Sequence, residues 1–132
     1  MFTFFFKSSV SQIETALATI QELLIELPES ENLTIGFDLE WNVDITPGKG
    51  RQGKTAVATI AHDNTIYLLQ IARLDGNKFP RALTNFLLEP RIVKVGSRVK
   101  NDLQRLQKES GSEREFSGLI ELAHMAKACQ AS

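Results

Sequence analysis

The sequence predicts an α/β fold, a single domain built on a mixed β-sheet flanked by helices. Three observations carry that expectation. Apolar residues recur at helical spacing in several separated stretches, with short strand-like runs between them. Two of those runs, Thr55 to His62 and Thr65 to Ala72, meet at Asp63-Asn64, a short turn that sets up antiparallel pairing. Another run, Arg91 to Gly96, returns only after a helical crossover, the connection that parallel strands require. At 132 residues the chain suits one compact domain, 1–132, able to bury roughly two-thirds of its unfolded surface.

The elements follow in order. Thr3 to Phe6 is aromatic-rich and reads as a short strand. Ser11-Gln12-Ile13-Glu14 fits a capping box, and behind it Ile13, Leu17, Ile20, Leu24 and Leu27 form the apolar stripe of a helix that Pro28 ends. Leu33 to Trp41 is an acidic strand, and Trp41 to Thr55 is a long loop with Pro47 and three glycines. After the hairpin, Pro80 opens and Pro90 closes a helix whose Leu83, Phe86 and Leu87 face the core. Arg91 to Gly96 is a buried strand. Val99, Leu103 and Leu106 place a helix up to about Lys108, and Gly118 to Cys129 reads as a last helix after a polar linker.

The bulk charge of −1 gives no global signal for a nucleic-acid or membrane partner, but its distribution is uneven. Residues 8–48 hold eight acids and no Lys or Arg, whereas residues 91–108 hold six bases and one acid, Asp102. A positive face beside an acidic site is one reading, and solvated helix faces are the other. One cysteine, Cys129, excludes an internal disulfide framework and a zinc site built on several thiolates. Met1 to Phe6 is too short for a signal-peptide core, and no run approaches the roughly 20 apolar residues that cross a bilayer. An intracellular protein, nuclear or cytoplasmic, with no membrane partner is the expectation.

Leu33-Thr-Ile-Gly-Phe-Asp-Leu-Glu-Trp41 carries the sharpest chemical signal. Side chains of a strand alternate, so Asp38 and Glu40 project to one side and Leu39 to the other. Two carboxylates losing water at the end of a buried strand repel each other, and a divalent cation with a preference for oxygen ligands, magnesium or manganese, would remove that cost. An edge strand, which often alternates acids with apolar residues, is the plain alternative. Asp102 is the second acid of interest, on a helix just past Gly96, which lets the backbone pass close to a neighbour. Ion pairing with Arg98 or Arg105 is its ordinary explanation. Gly48-Lys-Gly-Arg-Gln-Gly-Lys-Thr55 matches the phosphate-loop pattern. Such a loop needs a helix directly after it, and Thr55-Ala-Val-Ala-Thr-Ile favours strand. A flexible basic loop, with Lys49, Arg51 and Lys54 able to meet phosphates, is the better reading.

Taken together, Asp38-Leu-Glu40-Trp41, the basic loop, the Tyr67-Leu-Leu-Gln-Ile-Ala run and Gly96-x5-Asp102-Leu-x2-Leu resemble one family. They look like the 3′–5′ exonuclease domains of the DnaQ-like (DEDD), RNase H-like superfamily, nearest the Werner-syndrome-type exonucleases. The resemblance implies an RNase H-like mixed sheet and hydrolysis of phosphodiester bonds at a DNA or RNA 3′ end. It implies Asp38, Glu40 and Asp102 as catalytic ligands of two divalent metal ions, Mg or Mn, which activate a water and stabilise the leaving oxygen. It also implies Leu39 and Trp41 against the terminal nucleotide, with Lys49, Arg51, Lys54, Arg98 and Lys100 on the nucleic-acid backbone. The family's third motif, a Tyr or His followed by a fourth acid, has no match here, so a C-terminally truncated domain is expected. A nucleic-acid-binding or interaction module without catalysis, and a phosphate-loop nucleotide-binding protein, are the alternative readings.

Overall fold

The computed structural model describes residues 1–43, 52–74 and 79–122. Six strands form one mixed sheet. They are β1 (Thr3–Lys7), β2 (Leu33–Val43), β3 (Gln52–His62), β4 (Thr65–Leu69), β5 (Ile92–Gly96) and β6 (Leu119–Glu121), in spatial order β1-β4-β3-β2-β5-β6. The helices are α1 (Val10–Glu26), α2 (Arg81–Leu88) and α3 (Val99–Ser110), and a 3-10 turn follows β4 at Ile71–Arg73.

The hairpin expected at Asp63-Asn64 joins β3 to β4, with His62 opposite Thr65 and Asp63 at a positive φ of 55°. β2 is antiparallel to β3 but parallel to β5, and β5 is parallel to β6, which makes the sheet mixed. Alternation along β2 sends Leu33, Ile35, Phe37 and Leu39 into a core shared with Ile13, Leu17 and Ile20 of α1, Leu83, Phe86 and Leu87 of α2, and Val99, Leu103 and Leu106 of α3. On the other side of the strand Thr34, Asp38 and Glu40 are exposed.

Local details differ from the sequence expectation in four places. Helix α1 starts two residues earlier: Ser9 is its N-cap and accepts from the Gln12 amide, while the Gln12 side chain accepts from the Ser8 amide, a shifted version of the reciprocal cap. The strand after the hairpin ends at Leu69, and the Ile71–Arg73 turn replaces its expected end. The loop after the acidic strand is shorter at both ends, because β2 continues to Val43 and β3 begins at Gln52. Gly118 does not open a helix. It sits at φ +75° and is followed by β6, because pairing with Lys94, Val95 and Gly96 of β5 outweighs the helical spacing of an apolar run too short to decide its own conformation. Residues 123–132, with His124 and Cys129, lie outside the described residues.

Lys94 is wholly buried in β5. Its ammonium donates to the carbonyls of Leu87 at 2.8 Å, Glu89 at 2.9 Å and Ser117 at 2.8 Å, using all three protons. One side chain thereby ties the end of α2 and the entry to β6 onto β5. Burial pushes this lysine down to about 8, against the opposing pull of the Glu89 charge.

Candidate functional site

β2 pairs with β5 from Leu33 to Gly36, so Phe37 is level with Gly96, the last residue of β5, and Asp38 and the residues after it run past that end. Gly96 makes the close approach there. A Cβ at Gly96 would lie 2.3 Å from the Phe37 carbonyl oxygen, a contact that only glycine avoids. The chain then turns through Arg98, in the left-handed region at φ 62°, and starts α3 beside the overhanging part of β2. Both elements arrive at the carboxyl ends of parallel strands, the end at which open α/β sheets bind ligands.

Asp102, in the first turn of α3, is only 3% exposed. The Leu39 backbone N–H donates to its carboxylate. Its Oδ2 atom is buried with no hydrogen-bond partner. Burial, then the charge of Asp38, push Asp102 up to about 6; the Leu39 amide pulls it down, Glu121 adds to the rise, and Arg98 opposes it. The charge of Asp38 therefore acts on Asp102 from 64 residues away in sequence. The expected desolvation falls on a different residue: Asp38 and Glu40 are exposed, and Asp102 bears the cost. Glu40 shares the strand face of Asp38 but is not among the charges acting on Asp102. Among the described residues, no three His, Cys, Asp or Glu side chains converge as a metal-holding group.

The remaining candidates separate into groups. Leu39 is 5% exposed and belongs to the core, because it points away from Asp38; its amide, rather than its side chain, faces the carboxylate. Trp41 is half-buried against the core, and the Arg105 guanidinium lies over its ring, 4.5 Å from the centroid. Irregular pairing with β3 on both sides of Trp41 re-aims this part of the strand. Arg98 and Lys100 are exposed at the start of α3. Lys54 falls on β3, and Lys49 and Arg51 lie outside the described residues. The Gly53-Lys54-Thr55 end of the phosphate-loop match is strand, and the Thr55 hydroxyl and amide both donate to the Glu109 carboxylate.

Two further residues contribute to the site through packing and strand pairing. Arg105 was legible only as a possible partner of Asp102, and its place over Trp41 depends on how α3 packs on β2. Glu121 accepts from the amides of Arg98 and Lys100 at 3.0 and 2.9 Å, and its strand lies in a stretch whose spacing predicts helix. An acid closing the short apolar run Leu119-Ile120 was the available signal, analogous to Asp38 after Phe37.

No family model and no curated protein matches the sequence. Solved structures do match the fold. The chain is similar to the EXD2 exonuclease domain, with a TM-score of 0.77 and 20% identity over 98% of this chain and 61% of that one. Crystals of that domain soaked in Mg and GMP give 0.76 and 19%, over 98% and 61%, and crystals soaked in Mn and dGMP give 0.74 and 19%, over 98% and 60%. The chain thus spans about three-fifths of the length of these neighbours. The mixed, helix-flanked sheet is the RNase H-like fold of exonuclease domains.

Proposed function

We propose that this domain is of the metal-dependent 3′–5′ exonuclease type and acts at nucleic-acid 3′ ends. The observation that carries the reading is the Asp102 carboxylate, almost wholly buried, one oxygen without a partner, and beside a second carboxylate. Buried polar atoms are normally satisfied, and an acid pair that raises its own protonation energy is a cost that a cation offsets. The donor set is all carboxylate oxygen, which suits a hard divalent ion. Similarity to domains whose crystals were soaked in Mg and Mn supports the same choice.

Asp38 and Asp102 would hold the ion, and Glu40, on the same strand face as Asp38, is the third ligand proposed from the motif. When bound, divalent ions in such sites lower the pKa of the attacking water and neutralise the departing oxygen. The chain's own residues do the rest. The Leu39 amide orients the Asp102 carboxylate and leaves its other oxygen for the ion. The exposed bases Arg98 and Lys100 stand at the start of the helix that carries Asp102, placed to hold substrate phosphates. Trp41, beside Arg105, is the terminal-base contact proposed from the motif.

A 5′-labelled single-stranded or recessed oligonucleotide tests this. Soluble protein with Mn or Mg should give a ladder of products that disappears in Asp38→Ala and Asp102→Ala. Binding of the oligonucleotide without laddering, equal in wild type and Asp38→Ala, would support a non-catalytic nucleic-acid-binding module instead. The observation favouring that second reading is the absence of three converging acids among the described residues. ATP binding lost in Lys54→Ala would revive the phosphate-loop reading, against which the strand conformation of residues 52–62 stands.

A further inference from the structure

Helix α3 begins without a cap of its own. Its N-cap residue, Arg98, contributes no side-chain hydrogen bond and stands at φ 62°, ψ 27°, a conformation costly for any residue but glycine. The missing acceptor comes from another strand. Glu121, in register with Gly96 across β5 and β6, accepts from the Arg98 amide through Oε2 and from the Lys100 amide through Oε1. The carboxylate therefore clasps both sides of the first turn.

Asp102 hangs from that turn, its N–H donating to the Arg98 carbonyl at 3.0 Å. Glu121 also acts on Asp102 through its charge. Its two oxygens face α3 amides, so it reaches the carboxylate centre through Asp102. We propose that Glu121 is the positioning residue of this centre: it holds the strained start of α3 and, with it, the backbone from which Asp102 projects. The inference rests on Asp38 and Asp102 being cation ligands. It makes β6, the strand that the sequence disguises as a helix, part of the site.

Titration of Mn into the full chain, combined with amide hydrogen exchange, tests it. Glu121→Ala should weaken Mn affinity ten- to a hundredfold, the usual effect of losing a residue that orients a metal ligand. It should also speed exchange at the Lys100 amide. Glu121→Gln, which keeps one acceptor and loses the charge, should fall between, and it carries the test if the alanine variant does not fold. Ser9→Ala removes the side-chain cap of α1 and should lower stability without changing Mn affinity. Wild type that binds no Mn sinks the metal reading itself. Wild type that binds Mn, with both Glu121 variants within twofold of it, overturns the role of Glu121 and leaves the metal reading standing. Equal loss of affinity in Ser9→Ala would also overturn it, since destabilisation alone would then suffice.

Discussion

A methyl group added at Gly96 would stand 2.3 Å from the Phe37 carbonyl oxygen, and a strand backbone cannot step aside as a flexible side chain can. Gly96→Ala should therefore cost about 3 kcal/mol, the upper range for overpacking, and should separate β5 from β2 where Asp102 meets Asp38. Urea unfolding measures the first effect. Asp102 makes the opposite prediction for the metal-free protein. Its carboxyl rises from an ordinary 3.8 to about 6 in the fold, so the native state binds more protons than the unfolded state between those values. Stability from this group is fully present below pH 4 and is lost as pH climbs through 6. Asp102→Asn should leave stability near pH 4 unchanged and raise it at pH 7, and Asp38→Asn should raise it too by removing the repulsion. Melting temperatures of the three proteins across that range check the sign. A site residue whose removal stabilises the fold is expected where function opposes stability.

Among the elements, β2 and α3 were legible because their patterns are strong. The alternation Phe37-Asp38-Leu39-Glu40 fixes which side chains enter the core, and Val99, Leu103 and Leu106 define the buried face of α3. What the alternation did not reveal is which acid is buried. That follows from β2 running past β5, a matter of register between strands distant in sequence. Nor did it reveal Lys94, which a run of Ile, Val and Val disguises as an apolar strand position. Lys94→Met would take the ammonium from the carbonyls of Leu87 and Ser117, while that of Glu89 still accepts from the Ile92 amide. At about 1–3 kcal/mol for each buried group left unpaired, the variant should lose at least about 2 kcal/mol, read by denaturant unfolding. Trp41 is the sole tryptophan, so its emission reports on the packing of α3 over β2. Arg105→Ala should shift that emission while leaving far-ultraviolet circular dichroism unchanged.

At the scale of the whole molecule, the fold is shared with exonuclease domains although only about one residue in five is identical. Within that fold this chain has a strand overhang, a glycine that permits close approach, and a helix start pinned by the neighbouring strand. Among the described residues, no helix is long and apolar enough to cross a membrane. Thermal unfolding at pH 7 with and without millimolar Mn tests the proposed divalent-ion site at Asp38 and Asp102. Wild type should melt several degrees higher with Mn, as any ligand of the native state requires, while Asp38→Asn and Asp102→Asn should show no shift. An identical shift in all three proteins, or none in wild type, would rule out an ion held by these two carboxylates.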